Sequence, residues 1–146
     1  MKLLDGKACV ITGAGSGVGR AAAVLFAEHG ASVVVGDVRD AWAADTVGLV
    51  EEAGGKAVAA HCDVSREPDV EALVARCVAE FGRLDVMYNN AGISTPRPGL
   101  TFVEHTQADW DRLLGVNLMG MVYGCKHAVL AFRRQGGGGV IVNTGS

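Results

Sequence analysis

A short apolar run, Cys9-Val10-Ile11, ends in Thr12 and then in four alternating glycines, Gly13, Gly15, Gly17 and Gly19, before a helical pattern starts. Few structures accommodate that order of residues. It reads as a buried strand, a tight turn, and a helix whose first N–H groups face back toward the turn. Those groups have no intrahelical partner, and the helix dipole is positive at that end, so a ligand's phosphates are the natural complement. Glycine is required where the backbone takes positive φ or where another chain must approach closer than a side chain allows.

The rest of the chain repeats this alternation. Strands are expected at Ala8–Thr12, Ser32–Gly36, Lys56–His61, Leu84–Tyr88 and Val140–Val142. The consecutive valines Val33, Val34 and Val35 suit a parallel strand covered on both faces. The first helix is expected to bury Val18, Ala21, Ala22, Leu25 and Phe26 and to stop at Gly30; a second runs from Asp40 to Ala53. Ser65 is the expected N-cap of a third helix, with Pro68 in its first turn. Its stripe is Val70, Leu73, Val74, Cys77, Val78 and Phe81, and Gly82 ends it. Thr106 and Asp109 form a capping-box variant opening one long helix to Arg133-Arg134. Strand–helix alternation of this kind predicts an α/β doubly wound parallel sheet, ordered 3-2-1-4-5, with helices on both faces.

Composition excludes several classes. The 146 residues are 49% hydrophobic and 20% charged, a globular balance, and suffice for a single domain, 1–146. A net charge of −3 with scattered lysines and arginines leaves no footprint for nucleic acid. No unbroken apolar run approaches the ~18 residues of a membrane span, and Asp5 interrupts the N-terminal Leu3-Leu4. No membrane partner is therefore expected, and a cytoplasmic protein is. Cys9, Cys62, Cys77 and Cys125 have neither C-x-x-C spacing nor a histidine cluster, so no metal site is expected.

In a doubly wound sheet, ligands bind beyond the carboxyl ends of the strands, where the strand order reverses. Asp37 stands at the end of the second strand, eighteen residues after Gly19. A carboxylate there accepts hydrogen bonds from both hydroxyls of an adenosine ribose and repels a 2′-phosphate, which predicts NAD over NADP. Arg39, two residues on, is the residue that would favour NADP.

Thr12-Gly13-x-x-x-Gly17-x-Gly19, Asp37, Asp63-Val64, Asn89-Asn90-Ala91-Gly92, Asn117 and Asn143-Thr144-Gly145-Ser146 together resemble the classical short-chain dehydrogenase/reductase (SDR) family in order and spacing. The resemblance covers the whole chain. It implies a Rossmann-fold oxidoreductase that moves hydride between NAD(P) and an alcohol/carbonyl substrate. On it, Thr12, Gly13, Gly15, Ser16, Gly17, Val18 and Gly19 form the pyrophosphate turn. Asp63 and Val64 meet the adenine, while Asn90, Ala91 and Gly92 flank the nicotinamide-side ribose. Ser146 matches the catalytic serine, and Asn117 the asparagine that holds a water in the proton relay. A homodimer or homotetramer, formed through the long helix, is the implied assembly of the intact protein.

One departure stands out. The family's acid/base tyrosine sits in a Tyr-x-x-x-Lys helix beyond the serine, and neither Tyr88 nor Tyr123 has that spacing. The chain is therefore expected to be the N-terminal part of an enzyme of roughly 250 residues, within single-domain sizes, and inactive alone. The alternative is a non-catalytic dinucleotide-binding or regulatory protein without the tyrosine and lysine. A methyltransferase also has an acidic residue after its second strand, but its glycine loop lacks this spacing.

Overall fold

The computed structural model describes residues 1–145. In chain order the regular elements are β1 (Ala8–Thr12), α1 (Gly17–Glu28), β2 (Ser32–Asp37), α2 (Asp40–Glu52), β3 (Lys56–His61), α3 (Glu67–Phe81), β4 (Val86–Asn89), α4 (Gln107–Leu114), α5 (Gly120–Gln135) and β5 (Val140–Asn143). All strand pairs are parallel and the sheet order is β3-β2-β1-β4-β5, the predicted topology.

Both faces of the sheet are covered, which is why its central strands are apolar throughout. Along β1, Ala8 and Val10 pack under α3 and α5, while Cys9 and Ile11 pack under α1 and α2. Every β1 residue is buried. This is the two-residue alternation of a strand, with apolar neighbours on either side. The chain passes from β1 to β2 in one direction and later crosses back to β4 in the other. A crevice therefore opens at the carboxyl ends of β1 and β4, where the glycine loop and Asn90-Ala91-Gly92 meet.

Several sequence expectations change in detail. Helix α1 buries Gly19, Ala23 and Ala27; of the expected residues Ala22 and Phe26 pack partly buried against the core, while Ala21, Val18 and Leu25 are exposed. A stripe of small residues four apart lets α1 sit close on the sheet, so residue size misleads the amphipathic reading. The N-cap of α3 is Arg66, and Ser65 instead bonds its own turn through Asp63. His127, in a helix whose neighbours Lys126 and Val129 are not buried, is itself buried, with Nε2 2.9 Å from Glu67 Oε1. The Thr106–Asp109 capping box forms as expected, and Gly82 takes the left-handed conformation that ends α3.

The long helix is not uniform. Between α4 and α5 the chain makes a wider π-type turn, Gly115–Met119, centred on Asn117. Such a turn fits one extra residue into a helix and redirects a side chain. Together with its flanks it forms a continuous 29-residue stretch, Gln107–Gln135, whose most apolar window has a mean hydropathy of 1.3. That is long and apolar enough to cross a bilayer, contrary to the expectation from unbroken runs. In the fold its Ala128, Ala131 and Phe132 pack into the core beside α3, while Leu114, Leu118, Val122 and Val129 are exposed.

Candidate functional site

The crevice is a cleft of about 900 Å³, within the ~300–1,000 Å³ range of small-molecule sites. Of the residues singled out from sequence, Gly13, Ser16, Gly17, Val18, Asp37, Asp63, Val64, Asn90, Ala91 and Gly92 line it. They come from the ends of β1, β2, β3 and β4. Thr12, Gly15, Gly19 and Asn117 do not line it; they shape what does.

Gly17 has φ +54° and open space where a Cβ would project, so the first turn of α1 is bare toward the cleft. Gly19 has the opposite reason for being glycine. A Cβ there would lie 2.7 Å from Asn90 Nδ2 and still closer to the Gly13 carbonyl. Ser16 is the N-cap, yet its hydroxyl caps nothing, and it faces the cleft. Unlike α2, α3 and α4, α1 has no acidic side chain in its first turn. Its positive end is thus left for a ligand's charge.

Thr12 is 2% exposed, and its Oγ1 accepts from the amides of Asn90 (3.0 Å) and Ala91 (3.1 Å). The hydroxyl ties the end of β4 to the end of β1. Asn90 Nδ2 in turn donates to the carbonyl of Thr12 at 3.2 Å. Through these bonds Asn90 and Ala91 help hold the central sheet together.

Asp37 is 8% exposed, and its carboxylate is held by two amides. Oδ2 accepts from Gly15 N at 2.8 Å and Oδ1 from Arg39 N at 2.9 Å. Each oxygen keeps a further lone pair for a ligand hydroxyl. The Arg39 guanidinium lies over the Trp42 ring, 3.9 Å from its centroid, rather than on Asp37. Asp63 organises the turn into α3, accepting from Ser65 N (3.0 Å) and Ser65 Oγ (2.6 Å). Cys62 lines the cleft, but burial, with the negative charges of Asp69, Asp63 and Asp37 added, pushes its thiol up to about 12. At neutral pH it is a packed thiol rather than a nucleophile.

Asn117 spans from the long helix to the segment after β4. Its Nδ2 donates to Ile93 O and its Oδ1 accepts from Ile93 N, both at 2.8 Å. At the end of β5, Asn143 Oδ1 accepts from Asn89 Nδ2 at 2.8 Å, and Thr144 Oγ1 lies 3.2 Å from both Tyr88 Oη and Asn90 Oδ1. The next-but-one residue, Ser146, lies outside the described residues.

Sequence reasoning missed Trp42, Arg112 and Val116 as cleft residues. Val38, which follows Asp37 where an Arg or Lys would favour NADP, lines the cleft and is 56% exposed. His61 turns away to Asp40, 2.7 Å distant. Arg97 and His105 belong to a staple on α4. Arg97 holds Asp109 at 2.9 and 2.6 Å, and His105 packs edge-on against Trp110. Arg97, followed by the Thr106 amide, holds the Asp109 carboxyl well below the usual carboxylate range.

A doubly wound parallel sheet with a glycine-rich loop, a bare helix N-terminus and an acidic residue at the end of β2 defines the Rossmann class of dinucleotide-binding proteins. A family model described as short chain dehydrogenase matches residues 7–146, and the chain belongs to that family of oxidoreductases. Momilactone A synthase of Oryza sativa subsp. japonica is 49% identical over 146 residues, covering 98% of this chain and 51% of that protein. Tropinone reductase-like 1 of Erythroxylum coca is 48% identical over 139 residues, covering 92% of this chain and 50% of that protein. Among solved structures, a short chain dehydrogenase/reductase from Burkholderia phymatum in complex with NAD matches with a TM-score of 0.91 and 37% identity. That match covers 100% of this chain and 51% of the other. The chain spans about half the length of the curated relatives it matches.

Proposed function

We propose that the intact protein is an NAD-dependent oxidoreductase acting on an alcohol/carbonyl pair, and that residues 1–146 are its dinucleotide-binding domain. The observation that carries this reading is Asp37. Its carboxylate is fixed by two amides at the mouth of the cleft, opposite the bare first turn of α1. The residues fit the dinucleotide: amide donors for the pyrophosphate, a carboxylate for the adenosine ribose, and Val64 with Asp63 beside the adenine. An NAD complex in a structural neighbour supports the same assignment.

The nicotinamide, when bound, supplies or accepts the hydride. The protein's part is to orient and to hold charge. Asp37 takes the ribose hydroxyls and disfavours a 2′-phosphate. Asn90, Ala91 and Gly92 border the cleft and would hold the nicotinamide-side ribose. Asn117 keeps that border in place through Ile93, and in this reading also takes the family's part in the proton relay. Ser146 is assigned to the substrate oxygen, hydrogen-bonding it as charge develops there. The exposed apolar residues Leu114, Leu118, Val122 and Val129 support self-association into a homodimer or homotetramer. The test is a hydride-transfer assay on the intact protein with NAD and a panel of secondary alcohols, followed by reduced-nicotinamide absorbance. Alcohol-dependent reduction is expected. Tight NAD binding with no turnover on any alcohol or ketone would instead mean a non-catalytic binder.

A further inference from the structure

The glycine loop is gripped by its carbonyls. Those of Thr12 and Gly13 accept from Asn90 Nδ2 at 3.2 and 3.4 Å. The carbonyl of Ala14 accepts from Thr46 Oγ1 at 2.9 Å, that of Gly15 from the Arg20 guanidinium, and that of Ser16 from Arg20 N at 3.1 Å. From Thr12 to Ser16, then, each carbonyl has a donor on the protein side.

Two of these donors belong to no motif read from the sequence. Thr46 comes from the middle of α2 and is fully buried; Arg20 comes from the first turn of α1. They are coupled, because Arg20 Nε donates to Thr46 Oγ1 at 3.0 Å. A threonine hydroxyl that accepts from arginine has its one proton free to donate; Ala14 O, at 2.9 Å, is the nearer of its two acceptors, and Trp42 O lies at 3.1 Å. On the loop's other edge Asp37 Oδ2 holds the Gly15 amide. The peptide units on both sides of Gly15 are thereby fixed in one orientation.

We infer that Arg20 and Thr46 are positioning residues for a ligand's pyrophosphate, acting through the loop rather than by contact. This rests on the dinucleotide reading above. A peptide carbonyl turned into the cleft would face a phosphate oxygen and repel it. The Arg20–Thr46 brace keeps the Ala14 and Gly15 carbonyls turned inward, away from a bound phosphate, while the amides of those two residues are held by Gly36 O and Asp37 Oδ2. The order is in place before the ligand arrives, and preorganisation of this kind lowers the cost of binding.

The test is calorimetric titration of the intact protein with two probes, ADP-ribose, which carries the pyrophosphate, and adenosine, which does not. Thr46→Val and Arg20→Gln should each weaken ADP-ribose by ~10-fold, the effect of losing one buried hydrogen bond. Both should leave adenosine within about two-fold, the scatter of an unperturbed contact being well under one hydrogen bond. Thr46→Ser, which keeps the hydroxyl, should restore ADP-ribose binding. Equal losses for both probes would mean a merely structural role and overturn the inference, as would unchanged ADP-ribose affinity. Should Thr46→Val fail to fold, Arg20→Gln, at a partly exposed site, decides alone. If the unaltered protein binds neither probe, the dinucleotide reading itself falls.

Discussion

Replacing Thr12 by valine changes one buried oxygen into a methyl group of similar size. That oxygen accepts from the amides of Asn90 and Ala91, at 3.0 and 3.1 Å, from a residue only 2% exposed. The variant leaves both N–H groups without their acceptor, at ~1–3 kcal/mol for each buried group. Asn90 and Ala91 border the open cleft, so water reaches them in part and the low end of that range applies. The added methyl recovers up to ~0.8 kcal/mol. The net cost is about 1 kcal/mol, or a Tm lowered by ~2–4 °C for a chain of ~150–250 residues. Urea unfolding and thermal melting of the intact protein measure it, with Thr12→Ser as control. Serine keeps the oxygen and loses one methyl, so it should cost about 1 kcal/mol. Thr12→Val melting with the parent protein would refute this reading of the hydroxyl.

Further predictions concern the segment after β4 and its staple. Asn117→Ala removes both bonds to Ile93, and hydrogen exchange at the Ile93 amide should speed by ~10-fold or more; unchanged exchange there would show that the π turn holds the segment without its side chain. Asp109→Asn breaks the bidentate contact with Arg97. Because the Asp109 carboxyl is lowered in the folded protein, its stabilisation is complete above the ordinary carboxylate value of ~3.9 and is lost as pH falls below it toward the folded value. The stability gap between parent and Asp109→Asn, followed by denaturant titration, should be constant from about pH 5 upward and close toward pH 2. A gap that persists in acid would sink this assignment. Gly19→Ala pushes a methyl against the Gly13 carbonyl and Asn90 Nδ2, so it should cost ~1–3 kcal/mol of stability; a neutral result by urea unfolding would show that the loop can give way.

The parts of the fold written in short-range pattern are the ones that sequence reading recovers. Apolar runs and their glycine or proline stops locate the strands, and Asp37 is legible because its place follows from the end of β2. Contacts between residues distant in the chain leave no such trace. His127 looks like a surface residue in its own helix, and only the fold brings Glu67 against it. Thr46 reads as an ordinary mid-helix threonine until α2 packs on the glycine loop. The π turn escaped because Leu113, Leu114 and Leu118 keep a plausible helical spacing through it, while the extra residue is taken up by the backbone. In α1 the rule that large apolar residues face inward holds only in part: Phe26 packs on the core beside Tyr88, but Val18 and Leu25 do not. Small residues at Gly19, Ala23 and Ala27 permit close packing, and Val18 is drawn to the cleft.

The most direct test of the central claim is a pair of dissociation constants, for NAD and for NADP, measured on the intact protein by fluorescence, with Trp42 in the cleft as reporter. With Asp37, held by the Gly15 and Arg39 amides, taking the ribose as proposed, NAD should bind tighter by at least ~10-fold, the size of one charge-assisted hydrogen bond gained and a like-charge contact avoided. Equal or tighter binding of NADP would contradict the account. It would assign the ribose end to Arg39 instead.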